Sequence, residues 1–380
     1  MSDSLFLYSL KLQGFKNHER VTCEFSPAFN GISGLNGKGK TNLFDAIHYL
    51  VTGKSYFNFN DRMSIMTDAV AAHISGVFME DDLKTDISVA IPLTGSKQIK
   101  TDGSLCKRLS DYIGRFSAVM ITPDDIAIIV GGSENRRSFM DRIICQHNPS
   151  YLLALNRYQK ILEQRNHALK KMDESGIFNA ELIDTYNNQL AIPAQEIYTV
   201  RKAFVEWMAP VAEDIYQKIS NDRDHINLLY DSQLHEHSFA ELMAMNVSKD
   251  RVLCRTSAGI HKDELVMTLG DGLDVRKYGS QGQVKSWIIS MKLAALCWLK
   301  TFKKQSPILL LDDIFEKIDE VRLKNLLTWI EENHQGQWFV TDAHTYRLHD
   351  YVQTIGVEKK FFNIDETFHE SGKTHQTSAE

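Results

Sequence analysis

Gly34-Leu35-Asn36-Gly37-Lys38-Gly39-Lys40-Thr41 fits G-x-x-x-x-G-K-[ST] at every fixed position. Such a segment does phosphate chemistry: its glycines let backbone N–H groups turn toward phosphate oxygens, Lys40 reaches the terminal phosphates, and the Thr41 hydroxyl can hold Mg²⁺. The candidate nucleotide-binding residues are therefore Gly34, Asn36, Gly37, Lys38, Gly39, Lys40, Thr41 and the following Asn42. The acidic partner of such a loop lies far downstream, where the apolar run Ile308-Leu309-Leu310-Leu311 closes on Asp312-Asp313. An aspartate after a strand often serves only as a helix cap. With a phosphate loop upstream, Asp312 is expected to bind Mg²⁺ directly or through water, and Asp313 to polarise the attacking water.

The wide gap between these halves requires a large insertion within one nucleotide-binding fold. The 380 residues suit two lobes, and 43% hydrophobic with 24% charged residues is ordinary for a soluble globular chain. No apolar run approaches a membrane span, and Met1-Ser2-Asp3-Ser4 lacks the basic start of a signal peptide, so a cytoplasmic location is expected. Five scattered cysteines without C-x-x-C spacing read as reduced thiols. A net charge of −6 gives no bulk signal for nucleic acid, so any such surface must be a local patch. Lys97, Lys100, Lys107, Arg108 and Arg115 can supply one, although charges on strand edges also discourage aggregation. The histidines lack metal-ligand spacing, and no Ser-His-Asp arrangement emerges.

These residues need particular elements to position them. Tyr8, Leu10 and Leu12 alternate with Ser9, Lys11 and Gln13, and Val21, Cys23 and Phe25 alternate with Thr22 and Glu24, which predicts the start of a β-meander. Asn30 to Ser33 leads into the phosphate loop, and Leu43, Ala46, Ile47 and Leu50 recur at helical spacing behind it. Residues from about Ala71 to Val119 favour strands, punctuated at Thr101-Asp102-Gly103. From Ser133 to about Ser220 a helical lobe is expected, an antiparallel helix pair broken near Ser175-Gly176. From about Ala258 strands and helices alternate again, with strands at Ile308–Leu311 and Gln337–Thr341 and a helix over roughly Glu320 to Glu332. The predicted architecture is an α/β, ABC-type ATPase head assembled from both ends of the chain (1–130 and 240–380), with an inserted, mainly helical lobe (131–239) and a polar tail from about His369. Ser371-Gly372-Lys373-Thr374 imitates a phosphate loop but has Thr367 in place of the first glycine.

Tyr278-Gly279-Ser280-Gln281-Gly282-Gln283 opens an apolar helix shortly before the Asp312 strand. An isolated S-x-G-Q is by default a turn with a serine N-cap. The order of phosphate loop, S-x-G-Q and acidic strand end is instead that of ABC-type ATPases, where the serine, glycine and helix N-terminus meet the γ-phosphate bound to the opposite subunit.

Over essentially its whole length the chain resembles the RecF family of the ABC/SMC ATPase group. The likeness is carried by Leu10 to Asn17, by Asn42, by Gly53-Lys54-Ser55, and by Thr122-Pro123-Asp124-Asp125 with Gly131. Arg136-Arg137-Ser138-Phe139-Met140-Asp141, Tyr151-Leu152 with Tyr158, and Gln164-Arg165-Asn166 continue it. Gly259 to Glu264 and Ser280 to Gln283 complete it. The family favours G-P-H-R-D-D where Ile260, Lys262 and Glu264 stand here, and Q-R where Val284-Lys285 stand. Lysine cannot reproduce a planar arginine fork, so a contact there is expected to differ.

The resemblance implies a weak ATPase that uses ATP and Mg²⁺. Its ATP-dependent homodimer would hold double-stranded or gapped DNA, and it would help load recombinase with RecR and RecO in recombinational repair and replication-fork maintenance. Gly34 to Asn42, Asp312 and Asp313 would face Ser280, Gln281, Gly282 and Gln283 of the partner, and Asp319 in Lys317-Ile318-Asp319 would serve the D-loop. The aspartate at Asp313, where transporters carry glutamate, suits slow hydrolysis in a switch. Arg136-Arg137 stand either as a solvated helix start or as support for the nucleotide site or DNA, and His344 lies beyond the usual switch-histidine position. The main rival is a transporter-type ABC subunit, which the long N-terminal likeness opposes. An OLD-family-like nuclease would need a Toprim domain, and an SMC-like structural protein would need longer arms.

Overall fold

The computed structural model describes residues 5–58, 60–220, 225–270, 272–314, 318–344 and 356–364. In chain order the strands are β1 (Leu5–Phe15), β2 (His18–Glu24), β3 (Phe29–Ser33), β4 (Ala71–Glu80), β5 (Leu83–Pro92), β6 (Gln98–Thr101), β7 (Ser104–Leu105), β8 (Ala118–Ile121), β9 (Ile226–Asp231), β10 (Glu264–Leu269), β11 (Ile308–Leu311), β12 (Trp338–Asp342) and β13 (Lys359–Asn363). The helices are α1 (Lys40–Thr52), α2 (Ile126–Val130), α3 (Ser133–Cys145), α4 (Pro149–Ser175), α5 (Ala180–Ser220), α6 (Phe239–Leu253), α7 (Val275–Tyr278), α8 (Gln281–Lys303) and α9 (Glu320–Asn333). They form two compact units, one of residues 1–125, 218–221 and 295–380, the other of 126–217 and 222–294. The boundary expected at 239/240 does not coincide with this division, because 240–294 group with the second unit.

The first unit holds two sheets. One is antiparallel, in the order β2-β1-β4-β5-β6-β7; the other is parallel, in the order β13-β3-β12-β11-β8. Every residue of β3, β11 and β12 is buried, as a parallel sheet covered on both faces demands. Ten of the thirteen residues of α1 are buried, and its Leu43, Phe44, Ile47 and Leu50 join Leu10, Leu12 and Ile74 of one sheet to Ile32, Leu310 and Phe339 of the other. At about 25 cal/mol per Å² of apolar surface, each such fully buried side chain contributes roughly 1.5–3 kcal/mol. Asp102 (φ 49°) and Gly103 (φ 78°) make the tight β6–β7 turn, whose two positive φ values explain that Asp-Gly pair.

Tyr8 departs from the expected alternation. It points outward, 40% exposed, because a bulge between Leu7 and Ser9 shifts the register of β1 against β4.

The second unit carries the helical lobe. Gly176, at φ 69°, ends α4, and beyond the turn Ile183 of α5 packs on Ala168 and Leu169 of α4. The α/β alternation expected from Ala258 onward takes a different form here: β10 pairs antiparallel with β9 instead of joining the parallel sheet. Two arginines organise this unit. Arg165 is fully buried and bonds Asp250 at 2.8 Å and Thr256 at 2.8 Å. Arg201 bonds Asp141 at 3.0 Å, Asp263 at 3.0 Å and the Ile260 carbonyl at 2.8 Å.

Candidate functional site

The site begins where β3 ends. Its chain turns through the glycine-rich loop, and Gly39 caps α1 with a left-handed backbone (φ 102°) and no side-chain hydrogen bond. The first-turn N–H groups of α1 are thus uncapped by a side chain at Gly39, an arrangement suited to an anion. A side chain at Gly39 would also lie within 2.6–2.7 Å of Asn17 and His18, so glycine is required there twice over. His18 Nε2 lies 3.0 Å from the Gly39 carbonyl, and Asn42 Nδ2 donates to Asn17 Oδ1 at 2.7 Å. The β1–β2 turn is therefore part of the loop's wall. The motif assigned nothing to Asn17 or His18; Asn17 had only its place at the end of the N-terminal likeness, and His18 carried no sequence signal at all.

Lys40 is folded onto its own loop, its Nζ donating to the Gly34 carbonyl at 2.6 Å, the Leu35 carbonyl at 3.2 Å and Asn36 Oδ1 at 3.4 Å. Asn36 and Lys38 are exposed on that loop.

β12 separates β3 from β11 in the parallel sheet, and the ends of all three strands converge. Thr41 Oγ1 donates to Asp312 Oδ2 at 2.8 Å. Thr341 Oγ1, at the end of β12, donates to Asp312 Oδ1 at 2.8 Å and accepts the Asp313 N–H at 2.8 Å. Burial raises the Asp312 pKa above the ordinary carboxylate range, while the bonds from Thr41 and Thr341 pull it back. Asp313 holds a left-handed backbone, φ 50°, unusual for a residue with a side chain. A hydroxyl and a carboxylate are hard oxygen donors, so Thr41 and Asp312 suit Mg²⁺. Lys40, Thr41, Asp312 and Asp313 are all brought together in this unit.

Asp45 fixes α1 from behind. Its buried carboxylate accepts from Ser55 Oγ at 2.8 Å and the Tyr56 N–H at 2.6 Å, and pairs with Lys16 at 2.7 Å. Tyr56 then donates to Asp125. The Gly53-Lys54-Ser55 and Thr122-to-Asp125 segments of the family likeness are thus parts of one brace behind the phosphate loop.

Ser280, Gln281, Gly282 and Gln283 lie in the other unit, at the start of α8. The Gln283 N–H donates to Ser280 Oγ at 3.2 Å, and the Ser280 N–H donates to Gln283 Oε1 at 2.8 Å, a reciprocal capping box. Asp319 caps α9 by accepting the Arg322 N–H at 3.0 Å. Lys317 and the imitation loop at 371–374 lie outside the described residues.

The solvated reading of Arg136 does not hold. It is 1% exposed, bonds Glu264 at 2.5 and 2.7 Å, and donates to the carbonyls of Ile128, Ile129 and Gly131 at the end of α2. Arg137 donates to the Asp263 carbonyl at 2.8 Å. Lys97 is also committed internally, to Asp61 at 2.8 Å and the Gly53 carbonyl at 2.7 Å, whereas Lys100, Lys107, Arg108 and Arg115 remain exposed. His344 is an exposed loop residue whose N–H donates to Asp342 Oδ1 at 2.5 Å.

A phosphate loop after β3 and an acidic pair after β11, separated by one strand of a parallel sheet, define a P-loop ATPase head of the ABC/SMC class. The family described as the RecF/RecN/SMC N-terminal domain matches residues 6–364. The DNA replication and repair protein RecF of Parabacteroides distasonis is 39% identical, over 95% of this chain and 98% of that protein. That of Flavobacterium johnsoniae is 36% identical, over 95% of this chain and the whole of the relative. A solved structure of the recombination mediator protein RecF–ATP in the RecFOR pathway superposes with a TM-score of 0.85 at 26% identity, covering 96% of this chain and 97% of that one. An Smc head domain from Pyrococcus furiosus shares the fold at 17% identity, with a TM-score of 0.54 and 94% and 93% of the two chains covered. The chain belongs to the RecF family of DNA replication and repair proteins. Among the described residues no helix is long and apolar enough to cross a membrane.

Proposed function

We propose that this protein is an ATP-switched DNA clamp of recombinational repair and replication-fork maintenance. The observation that carries the reading is the Thr41–Asp312–Thr341–Asp313 junction beside Lys40, which unites the two halves of a phosphate-transfer site. ATP phosphates would lie on the loop and the N-terminus of α1, with Lys40 exchanging its loop carbonyls for β- and γ-phosphate oxygens. Thr41 and Asp312 would hold Mg²⁺, which supplies charge neutralisation across those phosphates. Asp313 would orient a water whose oxygen bonds the γ-phosphorus as the bond to the ADP oxygen breaks. The water's proton would pass to the carboxylate and then to the released phosphate. The shorter side chain of Asp313 suits slow turnover.

Ser280, Gln281, Gly282 and Gln283 would meet the γ-phosphate bound to a second copy. The Ser280 oxygen already accepts the Gln283 N–H, which leaves the hydroxyl hydrogen to donate to phosphate. Asp319 would lie at the same dimer junction. Two copies closed on ATP would grip duplex or gapped DNA through phosphate contacts without reading sequence, and would release it on hydrolysis. RecR and RecO are the partners this role implies, in the cytoplasm.

Sedimentation without nucleotide, with ADP and with ATP, with gapped duplex added at two salt concentrations, tests the reading. A dimer seen with ATP only, retaining DNA in a strongly salt-dependent manner, is the expected result. A monomer under every condition overturns the trans-acting role of Ser280, and DNA binding insensitive to salt overturns the phosphate-contact clamp.

A further inference from the structure

The sequence motifs assign chemistry to Asp312 and Asp313 but say nothing of what holds the pair in place. Thr341 is fully buried and comes from a strand that neither motif includes. One hydroxyl makes two bonds of opposite sense: its hydrogen goes to Asp312 Oδ1, and its lone pair takes the Asp313 N–H, both at 2.8 Å. Asp312 Oδ2 is bonded by Thr41, so both oxygens of that carboxylate are fixed in direction.

The bond to Asp313 works on the backbone. A left-handed non-glycine residue carries a conformational cost and persists where its surroundings hold it. Asp313 sits at φ 50° with its N–H anchored on Thr341. Without that acceptor a part-buried donor would lose its partner, and the peptide that aims the Asp313 side chain would lose its anchor.

We infer that Thr341 is a positioning residue for phosphoryl transfer. It sets the direction of the cation-binding carboxylate and the backbone of the water-orienting one, so that cation affinity and turnover depend on a single hydroxyl. This rests on the proposed roles of Asp312 and Asp313. It adds that those roles are coupled through β12, the strand lying between the phosphate-loop strand and the acidic strand. The γ-methyl of Thr341 has no part in the coupling, so serine should replace threonine and valine should not.

Three readouts on Thr341→Val and Thr341→Ser test this, the first requiring neither metal nor nucleotide. In the free protein, hydrogen exchange at the Asp313 amide should quicken about tenfold or more in the valine variant and stay near wild type in the serine variant. With ATP, the Mg²⁺ concentration for half-maximal nucleotide binding should rise about tenfold in the valine variant. The kcat should fall by about ten- to a hundredfold, while ATP binding measured in chelator stays within about threefold of wild type. Serine should restore both the Mg²⁺ dependence and kcat.

Wild-type exchange, Mg²⁺ dependence and kcat in a folded valine variant would overturn the inference. If valine prevents folding, the serine variant decides: a folded Thr341→Ser protein that loses Mg²⁺ affinity tenfold shows that the methyl matters, not the hydroxyl. A wild-type protein whose nucleotide binding ignores Mg²⁺ overturns the assigned role of Asp312 itself, whatever Thr341 does.

Discussion

Thr41 and Asp312 stand 271 positions apart in the chain and share a hydrogen bond of 2.8 Å. Because Thr41 opens α1 and Asp312 follows β11, this contact is where the phosphate loop acquires its acidic partner. The same contact ties the loop to β12, since Asp312 passes the restraint on to Thr341.

Lys40→Met should cut ATP affinity sharply. The ammonium makes charge-assisted contacts within the loop and would make stronger ones to phosphate, each worth about 1.5–3 kcal/mol. A loss of roughly ten- to a hundredfold is expected in calorimetric titration. Unaltered affinity would remove the loop from the nucleotide site.

Ser280→Arg should leave ATP binding by a single chain intact and abolish the ATP-dependent dimer. Substitution also removes the N-cap of α8, at a local cost of about 0.5–2 kcal/mol, so melting should be recorded alongside sedimentation. A variant that still dimerises with ATP places the bridging contact elsewhere.

Arg165→Met tests the helical lobe. Arg165 and Asp250 are both fully buried, and removing one partner strands the other charge, at a cost of about 3–5 kcal/mol. Urea unfolding should show a loss of that order, and the double variant Arg165→Met with Asp250→Leu should recover part of it. Equal stability of the single variant and wild type would mean that the pair is solvated.

Two histidines make stability depend on acid. Burial lowers His261 and His334 to about 4 from the usual 6.5, so both are neutral in the folded protein at pH 6. The neutral His261 accepts the Tyr158 hydroxyl at Nδ1, 2.8 Å away, and donates from Nε2 to the Thr256 carbonyl at 3.1 Å. Between pH 6.5 and 4 the unfolded chain takes up protons that the folded one refuses. Stability is therefore full above about pH 6.5, falls as pH drops through that window, and levels off below about 4, each histidine contributing roughly 3 kcal/mol. Urea midpoints at pH 7.5 and 5 should differ, and His261→Gln should shrink the difference. A difference unchanged by the substitution would locate the acid sensitivity in other groups.

What sequence alone revealed of this site follows from the range of the interactions. The phosphate loop, α1, β11 and α9 were readable because each is encoded by neighbouring residues: glycine spacing, helical periodicity, an apolar run ending in acid. The helix break at Gly176 was local in the same sense. Tyr8 was misplaced because its bulge depends on how β1 pairs with β4, more than sixty residues on. Thr341 escaped because a hydroxyl at the end of a buried strand is ordinary until Asp312 is seen beside it. Arg136 stayed open between a solvated helix start and a supporting role because its partner, Glu264, lies 128 positions away. Its family setting gave it a place in a motif, but only packing shows that it binds α2 to β10.

The sheet order has a consequence for how the protein is made. β3 emerges early from the ribosome, yet both strands that flank it, β12 and β13, lie beyond residue 337. At roughly 5–20 residues per second, the interval before β12 follows is on the order of 15–60 s. Throughout it a strand that is fully buried in the folded protein has no parallel neighbour from the distal segment. Of the elements made before that strand or just after, the β1–β2 hairpin and α1 share its core cluster and can shield it, and a message cut before β11 should yield an aggregating fragment instead of a half-active one.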